Sequence, residues 1–266
     1  MKKTRGLSNL VLLLFIIYLV LPLLVIVIYS LFTDWSTTLI PTGFTLNNYV
    51  SVLSDQSFLM CMLRTIIISV VPIVITMFIL LLAMYVVVVY LPGLEKYIQI
   101  LCMIPYAIQG VILSISVISL YTGTGTILSN RLVMLTGAYC ILILPYIYQG
   151  IRNNLYGINA RMLLEAAEML GAPRFYSFFR VIVPNIMPGV TISALLSISM
   201  IFGDFVLANN IAGNSFQNIQ VYLQQSMKKS SGRTSAIVVM IFIVVFSLTG
   251  LVLFLQSDKR KTKREG

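Results

Sequence analysis

Six long apolar runs, 7–31, 62–90, 98–121, 131–151, 186–208 and 236–256, divide the chain. A helix needs about 20 apolar residues to cross the hydrocarbon core, so each run predicts a membrane span. The pattern reads as an all-α membrane protein of six transmembrane helices, one domain over 1–266. Pro72, Pro105 and Pro145 fall inside spans. They predict kinks where neighbouring helices or cavity water satisfy the freed carbonyls, either as packing bends or as hinges.

The longest polar interruption that carries helical patterning is 152–185. Asn159 is placed to N-cap a helix starting at Ala160. Leu163, Ala166, Ala167 and Leu170 follow as one apolar stripe, with Arg161, Glu165 and Glu168 on another face. Gly171 stops that helix as a left-handed C′ glycine, and Pro173 opens a second. Phe175, Phe178, Phe179 and Ile182 repeat the stripe until Pro184 ends it. The expectation is a helix–break–helix knob. Such a segment either lies on the membrane surface or docks a partner protein. Its two glutamates repel anionic lipid, and its alanines admit a close backbone, which favours a protein partner.

Composition excludes the water-soluble classes. The chain is 59% hydrophobic and 10% charged, against about 25% charged in soluble domains. The net charge of +10 does not mark a nucleic-acid binder, because basic residues gather at the tails and in loops beside apolar spans. Thirteen of the eighteen Lys and Arg residues fall on the side holding both tails and the 152–185 loop. The positive-inside rule therefore puts that side in the cytoplasm and turns 32–61, 122–130 and 209–235 outward. The first run is too long for a signal-peptide core, so it reads as a retained helix. The chain has no histidine, and Cys61, Cys102 and Cys140 stand singly. A metal site and a disulfide are both excluded on this reading, and the cysteines read as packing residues.

Glu165-Ala166-Ala167, three residues, Gly171, nine residues and Val181-Ile182-Val183-Pro184 resemble the EAA motif of binding-protein-dependent ABC importer permeases. Val181 and Val183 stand where that family has Ile and Leu. Gly43–Tyr49 resembles the segment after the first helix of these permeases, while Arg64 replaces the Asn usual before Thr65. In layout and length the chain most resembles polyamine (spermidine/putrescine)-type permeases, whose relatives carry ferric iron or phosphonates. The resemblance implies a type I (MetI-like) fold in a bacterial cytoplasmic membrane. It implies two permease subunits, here a heterodimer of different chains, two ATPase subunits, and an extracellular or periplasmic solute-binding protein. On it, Glu165, Ala166, Ala167, Glu168, Gly171 and Pro184 form the coupling contact with an ATPase. ATP and Mg belong to that partner, since the chain has no P-loop pattern, no cofactor of its own and no catalytic residues.

Asp204 sits near the outer end of the fifth span. A carboxylate at membrane depth costs about 2.5–3.5 kcal/mol at a helix centre and points to function. It reads as a translocation-path residue for a cationic solute, or as an interfacial carboxylate wet from outside or paired with Arg64 or Arg131. Ser193 and Ser197 line a polar path or mediate close helix packing. Tyr85, Tyr106, Tyr121 and Gln109 face a cavity or belong to the aromatic belt. The stripe Phe216, Ile219, Tyr222, Leu223 and Met227 predicts an outer helix, dipping inward or lying on the surface. The tail 259–264 reads as a stop signal against lipid headgroups. A gradient-driven transporter remains the rival. It needs no cytoplasmic knob, and the chain shows no inverted repeat.

Overall fold

The computed structural model describes residues 2–34, 42–108, 110–123, 125–228 and 230–265. Gln109 lies outside them, as do the side chains of the 259–264 tail. Among the described residues, five helices are long and apolar enough to cross a membrane, and one further pair qualifies together although bent by 101°. The chain divides into two compact units, 1–60 with 222–257 and 61–221 with 258–266.

In the first unit, α1 (Lys2–Ser30) presents exposed apolar side chains from Leu10 to Ile28. A short antiparallel pair follows, β1 (Phe32–Asp34) against β2 (Thr42–Phe44), in the register Phe32 to Phe44. Then comes α2 (Asn47–Leu53). The Asn48 amide donates to the carbonyls of Ser30 and Phe32 at 3.0 and 3.2 Å, which satisfies the frayed end of α1. Asp55 precedes α3 (Gln56–Val89) and caps it by accepting from the Ser57 N–H at 2.8 Å.

Asp55 also accepts from the hydroxyl of Tyr222, at 2.7 Å, and pairs with Arg233 on α11 (Ser231–Glu265). The Tyr222 bond, the capping N–H groups and the arginine together hold the Asp55 carboxyl below its ordinary 3.8, against a desolvation that opposes them. Burial and the same carboxylate push the Tyr222 phenol up. A depressed carboxyl stabilises the fold above its unfolded pKa, and that contribution disappears as pH falls through the folded value. Asp55→Asn is thus expected to lower the unfolding temperature at neutral pH. The difference from the parent protein should begin to shrink as pH falls below 3.8 and vanish below the lower folded value, a comparison that paired melts across a pH series make directly.

The second unit holds the core. After α3, a 3₁₀ turn at Pro92–Leu94 leads into α4 (Glu95–Met103), another 3₁₀ turn at Ile104–Tyr106 and α5 (Gly110–Tyr121). The run 98–121 is therefore not one continuous helix. Pro105 lacks the N–H that the α ladder needs, Ala107 bonds back to Ile104 in 3₁₀ fashion at 2.9 Å, and the chain turns. By contrast α3 runs through Pro72, and α6 (Arg131–Gly157) runs through Pro145. Asn130 caps α6 by accepting from the Leu132 N–H at 2.9 Å. The helix continues six residues beyond the apolar run that predicted it, so Arg152 and Tyr156 ride on its last turns.

Next come α7 (Ala160–Met169), α8 (Arg174–Ser177), a π turn at Phe178–Ile182 and α9 (Val183–Gly203). The seam between α6 and α9 has no room for side chains at two points. A Cβ at Gly150 would collide with Ser193, and one at Gly189 with the Asn154 amide. These pairs are reciprocal, four residues apart on each helix, so small residues let the two backbones close.

The predicted outer helix is α10 (Ile219–Met227). It is neither surface-lying nor buried on the predicted stripe alone. Ile219, Val221 and Tyr222 are buried while Met227 is exposed. Asn218, 1% exposed, caps it at the Val221 N–H. The Ile219 N–H donates to Thr65 Oγ1 at 2.9 Å, and the Gln220 amide to the Phe202 carbonyl at 2.8 Å.

Candidate functional site

The residues of the 152–185 loop do form a break between helices. Asn159 stands at the start of α7, as expected, but in the left-handed region at φ 51 and without a capping bond from its side chain. It turns the chain instead, a conformation Asn tolerates better than most residues. The face α7 buries is Ala160 and Leu164 rather than the Leu163–Leu170 stripe. Ala166 and Glu165 are exposed, Ala167 and Glu168 half-buried, and Met169 and Leu170 are each 89% exposed.

Gly171 closes α7 at φ 82. Its N–H bonds the Glu168 carbonyl at 2.9 Å and the Ala172 N–H bonds the Ala167 carbonyl at 3.1 Å, which is a Schellman cap. A Cβ at Gly171 meets nothing within 4 Å, so glycine is required there for its dihedral and not for space. Arg174 reaches back across the break to Glu168 at 2.7 Å, while Arg161 and Glu165 pair loosely at 3.4 Å.

Pro184 does not end the second limb. It stands exposed as the second residue of α9, where the π turn passes the helix onward. From Arg174 to Gly203 the chain is helical throughout. Phe178 and Ile182 are buried, and the rings of Phe175, Phe178 and Phe179 surround Tyr85 of α3 with centroids 5.6, 5.2 and 6.0 Å away. Tyr85 is thus a packing anchor for the loop.

The residues read as a solute path separate. Asp204 follows α9. It accepts from the N–H groups of Leu207 and Ala208 at 3.1 and 3.3 Å and from the Tyr139 hydroxyl at 3.1 Å, and its carbonyl accepts from the Asn218 amide at 3.1 Å. It pairs with neither arginine suggested for it. Arg64 lies over the Phe216 ring at 5.5 Å, and Arg131 reaches Ser215 at 3.5 Å. Ser197 is fully buried and donates to the Ser193 carbonyl at 2.9 Å. Ser193 packs at the Gly150 seam.

Two open cavities meet at Tyr146. One, of about 420 Å³, is lined by Tyr106, Leu142, Tyr146, Met200 and Asp204. The other, of about 360 Å³, is lined by Tyr146, Gln149, Asn153, Asn154 and Ser193. They bring Asp204 and Ser193 to one face of α6 and leave Ser197 out. Among the described residues no Lys or Arg lines either. Tyr146, Gln149 and Asn153 are the residues sequence reasoning passed over. Their spacing along α6 put polar groups on one face of an apolar helix, which was the available signal.

A family model described as "binding-protein-dependent transport system inner membrane component" matches residues 65–263. The chain belongs to that family. Among relatives of this inner membrane component, a spermidine/putrescine transport system permease protein from Haemophilus influenzae is 27% identical over 151 residues, 57% of each chain. A molybdenum transport system permease protein from the same species is 27% identical over 130 residues, 47% of this chain and 56% of that one. A putative 2-aminoethylphosphonate transport system permease protein from Salmonella paratyphi A is 26% identical over 194 residues, 72% and 71%. The chain thus spans little more than half the length of the first two. A solved bacterial ABC transporter involved in import of the acidic polysaccharide alginate contains a chain of the same fold. Its TM-score is 0.63 at 20% identity, covering 94% of this chain and 95% of that one. The mostly helical, MetI-like permease fold expected from the motif is thereby shown. Transport components, not enzymes, are what these relatives are.

Proposed function

We propose that the chain is a permease subunit of an ABC importer that forms half of a translocation path. It pairs with a second permease chain, receives solute from an extracellular binding protein and couples to separate ATPase subunits that bind ATP and Mg. The loop 152–185 is the coupling element, with Glu165, Ala166, Ala167, Glu168 and Gly171 at the ATPase contact and Pro184 at the root of the following helix. Both termini and this loop are cytoplasmic.

The observation that carries the reading is the tip of the loop. Met169 and Leu170 are 89% exposed beside a rigid Schellman turn whose partner limb is packed on Tyr85. Exposed apolar side chains on a braced, polar-flanked turn suit a protein groove. The first test is purification in mild detergent from the native membrane. Recovery of an ATPase, a second permease and a binding protein supports the reading, and repeated recovery of the chain alone removes it in favour of the gradient-driven rival.

The solute we propose is an organic ammonium, with polyamines first. Asp204, Tyr106 and Tyr146 line one cavity with no cation beside them. A carboxylate with two aromatic rings suits an ammonium group, whereas a free oxyanion would face only negative and neutral groups. Ser193, with Gln149 and Asn153, extends this polar face, and Ser197 supports it from behind. Asp204→Asn keeps one oxygen for the helix cap and removes the charge. It is expected to leave expression unchanged while cutting vanadate-sensitive uptake of labelled spermidine about tenfold, which corresponds to about 1.4 kcal/mol. Spermidine uptake that survives in the variant would remove Asp204 as the solute contact, and a parent transporter that takes up no spermidine would point to ferric iron, phosphonate or another solute class.

A further inference from the structure

α4 and the 3₁₀ turn that follows it are held to α6 at two points. At one, the Glu95 carboxylate accepts from Arg152 Nε and from the Tyr156 hydroxyl, each at 2.7 Å, and the guanidinium lies 5.0 Å from the centre of the Tyr156 ring. At the other, the Gln149 amide donates to the Tyr106 hydroxyl at 3.2 Å, and the Tyr106 and Tyr146 rings meet edge to face at 5.4 Å. α4 therefore runs antiparallel to α6.

Arg152 and Tyr156 lie four residues apart and share one stripe of α6. One turn earlier on that stripe stands Tyr148. Its side chain is fully buried, and its hydroxyl has no hydrogen-bond partner among the described residues. A buried hydroxyl without a partner is unfavourable and rare in folded proteins. Arg152, Glu95, Cys102 and Tyr156 are near enough to act on it electrostatically, and of these the Glu95 carboxylate is the strong acceptor.

We infer that the Tyr148 hydroxyl is a second seat for the Glu95 carboxylate, and that α4 steps one turn along α6 when the coupling loop is pushed. Four residues of helix amount to about 6 Å, and one-turn ratchets between packed elements are an established form of two-state motion. Arg152 sits between the two seats and keeps the carboxylate paired in both, so no bare charge is created on the way. α7 begins four residues after Tyr156, beyond the left-handed turn at Asn159, which puts the lower seat next to the moving element. The same step carries Tyr106 along α6 and reshapes the cavity that it lines with Tyr146 and Asp204. Glu95, Tyr148 and Tyr156 are positioning residues in this account, which rests on the coupling role proposed for α7.

The test compares Tyr148→Phe and Tyr156→Phe in the complete transporter reconstituted in liposomes, reading unfolding temperature and ATP turnover. Tyr148→Phe removes a hydroxyl without a partner in this state, so the unfolding temperature should hold or rise. It weakens the second seat, so turnover should fall about fivefold or more. Tyr156→Phe weakens the first seat and should raise resting turnover. A fall in unfolding temperature with Tyr148→Phe, wild-type turnover in that variant, or a change of the same sign in both variants would each overturn the inference. A wild-type preparation with no associated ATPase would instead remove the coupling reading and the inference with it.

Discussion

Gly150→Ala is expected to lower the unfolding temperature of the detergent-solubilised protein more than alanine at any other glycine of α6 or α9. The new methyl would run into both Cβ and Oγ of Ser193. Cβ cannot swing aside, so the two helices must separate along the tightest seam of the second unit. Overpacking of this kind costs about 1–3 kcal/mol, and a forced backbone separation belongs at the upper end.

Gly189→Ala meets the Asn154 amide, the mobile end of a side chain. It should cost less, mainly through the bond that amide donates to the Gly150 carbonyl at 2.7 Å. Gly137→Ala is the control, because a Cβ there meets nothing within 4 Å. It should be neutral or gain the helix propensity of alanine, about 1 kcal/mol. Thermal melts of the three variants give the order. Ser193→Gly introduced with Gly150→Ala should restore much of the loss, since contacting residues couple in a double-mutant cycle. Equal melts for Gly150→Ala and Gly137→Ala would show that the seam opens without penalty.

The second large effect is expected at Gly171. Its surroundings are empty, so substitution changes only the backbone. A β-branched side chain at φ 82 is strained by about 1–2 kcal/mol and opens the Schellman turn. Gly171→Val should leave insertion and expression intact, because no packing depends on the position, yet lower ATP-dependent uptake about tenfold or more, equivalent to about 1.4 kcal/mol. Gly171→Asn, which tolerates the left-handed region, should retain most uptake. Valine and asparagine variants with equal uptake would show that the shape of the turn does not transmit force.

Much of this was legible in the chain itself. Long apolar runs must be helices in lipid, because every backbone polar group has to be satisfied within its own segment. That requirement is local, and so is the Gly171 turn, which follows from a helical stripe meeting a glycine. What escaped depends on distant residues. Nothing near Asp204 in sequence announces Tyr139 or Asn218, and nothing near Gly150 announces Ser193. Proline was the ambiguous signal. Pro105 broke its run, whereas Pro145 stayed inside a helix and Pro184 opened one instead of closing one. The Leu163–Leu170 stripe stays largely uncovered within the chain. Periodicity identifies an apolar face but cannot say whether the chain itself or a partner covers it.

The π turn at Phe178–Ile182 accommodates one residue more than an α-helical turn would. One residue corresponds to about 100° of rotation around a helix with 3.6 residues per turn. Threaded as an uninterrupted α-helix, the same sequence would carry Gly189 and Ser193 roughly a quarter-turn away from α6. The phase of the whole span is thus fixed by a single surplus residue at its root, and any length change between Arg174 and Pro184 would be felt as a misfacing of the seam rather than as a longer or shorter loop.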